Sequence, residues 1–446
     1  MATRKPLLLG TALNSINSSL IATALPNIAT GINVSIVRTN LLVSILYLTS
    51  AIAQPTLGSL AEYFGPRRIL IIGGISALIG GIIGGLGHVL WQLLLARILI
   101  GIGTSAGYPS AMVMIDRRAR KYKIGGVPGN VLGALQVAAM ATATVGLPIG
   151  GIIVSTFGWR SVFLINVPFV CLMLVTAMIW LESDRHIEKL RLGQLARSLD
   201  LIGIVLFAAT IALWLFFLFT LPKFSLWLMV GAIFATISMT FREYRVIQPF
   251  FDIRYLIHNR HILNTLFRML LLQLCIYVVM YGFSQWLEVA RGFNPDVTGL
   301  LMLPMSAVSA LIIPPLSSRN IVKPSLLVAG IASLLGAIGM YFVNNDTSIL
   351  WVVILTVVFG IAMGTTSQGN QTALYSQVPT KTLGLASGLL KTFAYFGSIG
   401  STLVVKAGFT SGINDAGITK MATIIIVVSL IDLLFTIFDK RIKRYA

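Results

Sequence analysis

The chain has 446 residues, 56% of them hydrophobic and only 11% charged, with a formal net charge of +19 and a mean hydropathy of +0.89. A soluble globular chain carries about 25% charge, so an ordinary water-soluble enzyme is excluded. Apolar runs long enough to cross ~30 Å of hydrocarbon recur along the whole length, roughly fourteen of them, and the remaining residues supply only short loops.

In chain order the first six spans are expected at about 7 to 26, 37 to 60, 69 to 88, 90 to 113, 128 to 154 and 161 to 181. A charged break from Glu182 to Asp200 follows, then two spans at about 200 to 221 and 224 to 241 that meet at a turn through Leu221, Pro222 and Lys223. The last six are expected at about 262 to 287, 297 to 316, 325 to 343, 348 to 372, 383 to 407 and 420 to 438. The expected class is therefore an all-α integral membrane protein of fourteen transmembrane helices: a six-helix bundle in 1–181, a linker with an inserted helix pair in 182–261, and a second bundle in 262–446. Paired six-helix halves are the pattern of a secondary transporter with its substrate site between them.

The charge distribution orients the chain. Alternate breaks hold Arg67 and Arg68; Arg117, Arg118, Arg120, Lys121 and Lys123; Arg185, Lys189, Arg191 and Arg197; Arg242, Arg245, Arg254 and Arg260; Arg319 and Lys323; and Lys381. With both tails these make about 24 basic residues on one side against about 5 on the other, so both termini are expected in the cytoplasm of a cell-membrane protein. Charge spread in this way between spans does not form a nucleic-acid surface. Cys171 and Cys275 both lie in apolar spans, and neither a disulfide framework nor a thiolate metal site is expected.

Of the 41 glycines and 16 prolines, many lie inside spans. Gly80 with Gly84, and Gly360 with Gly364, have the four-residue spacing of close helix packing. Pro55, Pro109, Pro148, Pro304, Pro314 and Pro315 mark places where a membrane helix can bend.

Several ordered motifs carry a family resemblance. Between the second and third spans, Gly58-Ser59-Leu60-Ala61-Glu62-Tyr63-Phe64-Gly65-Pro66-Arg67-Arg68 resembles the loop signature of the major facilitator superfamily, with Glu62 in place of the usual aspartate. In the fourth span, Arg97 with Gly101 and Gly103 is similar to the family's second signature, whose buried arginine takes part in proton coupling. Arg97, Gly101, Ser105, Tyr108 and Met112 share one helical stripe, and Arg97 either faces a central cavity or snorkels to the interface. The fifth span holds Gly146-Leu147-Pro148-Ile149-Gly150-Gly151, close to the antiporter signature but with its proline one position late. Trp159 to Pro168, and Gly292 to Gly299 with Leu303-Pro304, resemble the fourteen-helix drug:proton antiporters. In the first span, beyond Asn14, the segment Ile16 to Pro26 resembles a family segment in which Asn17 stands at an aspartate position. Asparagine cannot take up and release a proton.

If protons drive this carrier, another acid must supply the charge change. Asp432, the acid well inside the last span, either serves, snorkels or pairs with a base. The ninth span has a polar face of Gln273, Tyr277, Tyr281, Ser284 and Gln285 ending at Glu288, which either lines a cavity or lies at the membrane surface. The thirteenth has Lys391, Tyr395, Ser398, Thr402 and Lys406 on one stripe, where Lys391 could meet an anionic substrate group or Asp432. Gln368 and Asn370 add cavity hydrogen bonds or sit at its mouth, and Arg268 is expected at the interface.

The resemblance implies a secondary exporter of hydrophobic or amphiphilic small molecules, driven by protons and acting as a monomer. Export or flipping of an anionic or lipid-like amphiphile is the alternative, and a non-transporting receptor or scaffold a third. No Gly-Lys-Ser or Gly-Lys-Thr run offers a nucleotide site, and His88, His186, His258 and His261 form no catalytic or metal constellation with an acid, so neither a cofactor nor an enzymatic activity is expected.

Overall fold

A computed structural model describes residues 10, 13, 16–121, 142, 146, 148–184, 200–220, 225–246, 249, 254, 258–319, 321–378 and 383–439; the side chains of Ser59, Glu62, Tyr63, Asp116, Arg118, Ala119, Arg120, Lys121, Phe219, Ser317, Ser318, Arg319, Tyr375, Leu383, Gly384, Leu385 and Ser387 are not among them. The helices are α1 (Leu25–Gly31), α2 (Leu41–Phe64), α3 (Pro66–Leu86), α4 (Leu90–Ser105, continuing past Ala106 as Gly107–Lys121), α5 (Pro148–Phe157), α6 (Asn166–Trp180), α7 (Leu201–Thr220), α8 (Leu226–Arg245), α9 (Arg260–Val278), α10 (Pro295–Arg319), α11 (Lys323–Tyr341), α12 (Ile349–Gln377), α13 (Leu383–Gly408) and α14 (Asp415–Phe438). Residues 16–20 are helical ahead of α1, and α9 runs on through a π-helical turn at Val279–Phe283 into Ser284–Val289.

Among the described residues, 12 helical segments are long and apolar enough to cross a membrane. Of the expected span at 7 to 26, residues 10, 13 and 16–26 are described, and the one at 128 to 154 falls largely outside the described residues. Observed boundaries differ from the expected ones where caps act. α14 starts at Asp415 because the Asn414 side chain accepts from the Gly417 N–H at 2.9 Å, a cap that apolar length cannot reveal.

The bundle turns the soluble pattern inside out. On α3, Ile72, Ile75, Ile79, Ile82 and Leu86 are exposed at helical spacing, as are Val427, Leu430, Ile431, Leu434 and Ile437 on α14. Buried instead are Asn17, Arg97, Arg268, Gln285 and Asp432. Lipid solvates the apolar stripe, whereas polar groups must find partners within the protein.

Packing repeats with an offset of eight helices. α3 packs on α4, α2 on α4 and α3 on α6; likewise α11 packs on α12, α10 on α12 and α11 on α14. The halves meet where α2 packs on α13. They meet again where Gly151 of α5 lies against Pro295 and Asp296 at the start of α10, so close that a Cβ there would collide with the Pro295 carbonyl. Under the same offset, these two junctions are images of one another. α7 and α8 pack together, and α7 touches α2. Arg242 on α8 pairs with Asp200 at the foot of α7, using a charge that the sequence assigned only to orientation.

Candidate functional site

At the α2–α13 junction four tyrosines from both halves converge. The Tyr47 and Tyr281 hydroxyls are 3.0 Å apart, and Tyr281 also donates to the Ser18 carbonyl at 3.0 Å. Tyr47 makes an edge contact with Tyr277 at 5.3 Å and lies 5.6 Å from Tyr395, while Tyr277 stacks on Tyr281 at 5.5 Å. The Tyr395 hydroxyl donates to Gln54 Oε1 at 2.7 Å. Nearer one end of the bundle, Ser44 meets Thr402 at 2.6 Å and Gln285 donates to Asn40 Oδ1 at 2.8 Å. The polar faces expected on the ninth and thirteenth spans thus meet one another across the α2 stripe. Tyr281 and Gly282 lie in the π turn, a feature frequent at functional sites because it shifts side chains out of the regular helical register.

Arg97 is 1% exposed and does not snorkel. Its Nη1 reaches the Asn17 carbonyl at 3.5 Å, its guanidinium lies 5.6 Å from the Phe163 ring, and Nε and Nη2 have no hydrogen-bond partner. A charge within a membrane span costs at least ~2.5–3.5 kcal/mol, and two donors of this buried arginine are idle. Asn17 is already occupied: its Nδ2 donates to Asn166 Oδ1 at 2.6 Å and to the Leu13 carbonyl at 2.8 Å. Gly101 brings α4 onto α2, where an added Cβ would stand 3.0 Å from Thr49. Tyr108 is half-buried on the continuation of α4.

The loop motif forms its own contact. Gly65 adopts φ 97° at the α2–α3 corner, and a Cβ there would strike Asp184. Asp184 caps α3, accepting from the backbone N–H of Arg67 at 3.4 Å and of Arg68 at 3.0 Å. A carboxylate placed there satisfies orphan donors and the helix dipole together. Arg67 donates onward to the Met178 carbonyl at 2.9 Å, and Gly58 faces Pro109. The side chain of Glu62 and all of Asn14 lie outside the described residues. In the fifth span, Gly146 abuts Ser19, Pro148 is buried, and Gly150 approaches the Leu20 carbonyl so closely that a Cβ would stand 2.9 Å from it.

Three charged residues find their surroundings. Arg268 is fully buried within the protein, pairing with Asp439 at 2.9 Å and donating to Thr265 at 3.2 Å. Asp432 is fully buried rather than snorkelling, and both its carboxylate oxygens lack a partner. Lys391 is half-buried on α13, and no ion pair among the described residues joins it to Asp432, which lies against Gly330 of α11 instead. Gln368 donates to Thr372 at 2.9 Å and Asn370 to the Thr366 carbonyl at 3.0 Å, so both turn back onto α12. Gln273 Oε1 and both Glu288 oxygens are buried without partners.

Helices that pack in one pattern, repeat it eight helices on and meet at a junction of tyrosines and polar side chains have the layout of a secondary transporter. The chain belongs to the Major Facilitator Superfamily, whose model matches residues 7–402. It is 28% identical over 439 residues to the uncharacterized MFS-type transporter YwoD of Bacillus subtilis (strain 168), covering 96% of this chain and 94% of that one. It is 25% identical over 406 residues to multidrug resistance protein Stp of Mycobacterium tuberculosis (strain ATCC 25618 / H37Rv), covering 87% and 72%. With the tetracenomycin C resistance and export protein of Streptomyces glaucescens it shares 24% identity over 433 residues, covering 93% and 76%. The fold is shared with a mutant form of peptide transporter POT, at a TM-score of 0.68 and 14% identity, over 99% of this chain and 95% of that one.

Proposed function

We propose that this member of the superfamily is a proton-coupled exporter of hydrophobic or amphiphilic small molecules that works by alternating access. The carrying observation is the tyrosine junction: Tyr47, Tyr277, Tyr281 and Tyr395 present aromatic faces and hydroxyls from both halves at one place. Such surfaces bind planar amphiphiles with few directional demands, and a joint shared by two halves must break for the halves to rock. A multidrug resistance protein and a tetracenomycin C resistance and export protein among the relatives support this reading.

In the proposed arrangement fourteen spans place both termini in the cytoplasm of the cell membrane, and 182–261 carry a helix pair between bundles in 1–181 and 262–446. The chain acts as a monomer. Ser44–Thr402 and Gln285–Asn40 then lie toward the outside and close that face. The cavity roles of Arg97, Lys391, Gln273, Tyr108, Gln368 and Asn370 are part of the proposal. A second reading, transport of an anionic amphiphile, is favoured by the unpaired Nε and Nη2 of Arg97.

The test is proton movement in proteoliposomes bearing a pH gradient, followed with an internal dye while hydrophobic cations, neutral amphiphiles and anions are added in turn. Protein-dependent proton flux triggered by cations or neutral compounds is the expected result. Flux of a labelled anion without protons would replace this reading by the second.

A further inference from the structure

The position that resembles the family's first-span acid is occupied by Asn17, yet an acid does stand in the corresponding helix pair of the other half. Under the eight-helix offset, the first span and α6 correspond to α9 and α14. The first pair is joined by the neutral Asn17–Asn166 contact. The second pair holds Asp432, nearer the opposite end of its helices.

Ser429, Asp432, Thr436 and Asp439 fall at i, i+3, i+7 and i+10 on α14, one face by helical geometry. That face is buried: Ser429, Asp432 and Thr436 are each 0% exposed. Opposite them, α9 supplies Arg268 against Asp439 at 2.9 Å, and Cys275 against Ser429 at 3.7 Å. α11 supplies Ser333, 2.8 Å from Ser429, and Gly330, where an added Cβ would stand 3.3 Å from Asp432 Oδ2. Arg268 is the charged group nearest this face, and the other titratable neighbour is Cys275.

Arg268 already has Asp439, so a charge on Asp432 finds no free counterion. Neither Asp432 oxygen accepts a hydrogen bond, and the hydroxyls nearby are engaged or, at Thr436, idle. An acid so placed avoids an unsolvated charge by holding a proton. Arg268 retains an unused Nε, a donor available should Asp432 ionise. Asp439, at the end of α14 with its side chain 7% exposed, and Thr436, one turn deeper, lie on the same helix face between the bundle end and Asp432.

We infer that Asp432 is the proton-carrying residue of this transporter, loaded past Asp439 and Thr436 and discharged when Arg268 turns from Asp439 to the bare carboxylate. In that step the Asp432 O–H bond breaks, the proton leaves to water, and Arg268 compensates the charge left behind. This inference rests on the proton-coupled reading above and names its acid.

Two measurements on the full-length protein in lipid separate the inference from that reading. Infrared spectra over a pH titration are expected to show the carbonyl stretch of a buried carboxylic acid that disappears in alkali, is absent in Asp432→Asn and is shifted in Asp432→Glu. A titrating band that survives Asp432→Asn unchanged, or no titrating band in the wild type, overturns the inference. Ethidium binding by the wild type is expected to change by roughly 5- to 150-fold with pH, while Asp432→Asn binds ethidium without that dependence. A wild type whose ethidium binding ignores pH overturns the coupling reading itself, whereas a variant that keeps the wild-type dependence overturns only the choice of Asp432. If Asp432→Asn does not fold, Asp432→Glu carries the test through its shifted band.

Discussion

Restoring an acid at position 17 probes the orphan charge of Arg97 directly. Asn17→Asp removes the two donations from Nδ2, to Asn166 Oδ1 at 2.6 Å and to the Leu13 carbonyl at 2.8 Å. It also sets two acceptors against each other, and relief by turning the Asn166 amide forfeits that residue's donation to the Phe163 carbonyl at 3.0 Å. Three hydrogen bonds at about 1 kcal/mol each put the loss near 3 kcal/mol. Against this, Arg97 has Nε and Nη2 free, and its Nη1 already reaches the backbone of residue 17. Breaking a buried pair costs about 3–5 kcal/mol, so forming one supplies a similar amount. Asn17→Asp alone is therefore expected to be neutral to about 2 kcal/mol stabilising. In an Arg97→Gln background the new carboxylate has no cation and adds at least ~2.5–3.5 kcal/mol to the lost bonds. Reversible unfolding by SDS in mixed micelles, run on the wild type, both single variants and the double variant, measures the interaction energy. The expected interaction, the difference between the effects of Asn17→Asp in the two backgrounds, is about 5.5–8.5 kcal/mol. Additivity within about 0.5 kcal/mol would refute the placement of Arg97 beside residue 17.

The other predictions concern the junctions. Tyr281→Phe removes the bonds to Ser18 and Tyr47, about 2 kcal/mol together, and is expected to raise the outward-open population roughly 30-fold; labelling of Ser50→Cys in a Cys171→Ser, Cys275→Ser background by an impermeant maleimide reads this as a faster rate, and an unchanged rate rejects the joint. Asp439→Asn strips Arg268 of its carboxylate, and unfolding is expected to become easier by about 3–5 kcal/mol, whereas the Arg268→Met, Asp439→Leu double variant recovers most of the loss. Gly103→Val places a Cβ 2.6 Å from the Ala77 Cβ at the α3–α4 contact, so a loss of at least about 1–3 kcal/mol in thermal unfolding is expected, and wild-type stability would contradict that packing.

Much of the site was legible because its signals are local. The stripes of Gln273, Tyr277 and Tyr281, and of Lys391, Tyr395 and Thr402, repeat at helical spacing within one span, and such a face is costly against lipid. Arg97 was visible for the same reason. Tyr47 was not: it is a lone tyrosine in an apolar run, and its role comes from Tyr281, 234 positions later. Arg268 read as interfacial because it stands near the start of its span. Its burial depends on Asp439, 171 positions away. Asp184 caps α3 from 116 positions beyond Arg68, in a charged break with no pattern of its own.

Apolar length and the spacing of polar residues determined by themselves that this is a multi-pass helical membrane protein and which helix faces turn inward, because both follow from the geometry of a single helix in hydrocarbon. Which inward faces meet was decided only by tertiary structure. Lipid drives every apolar stripe outward alike and leaves the matching of buried donors, acceptors and charges to contacts between segments far apart in the chain.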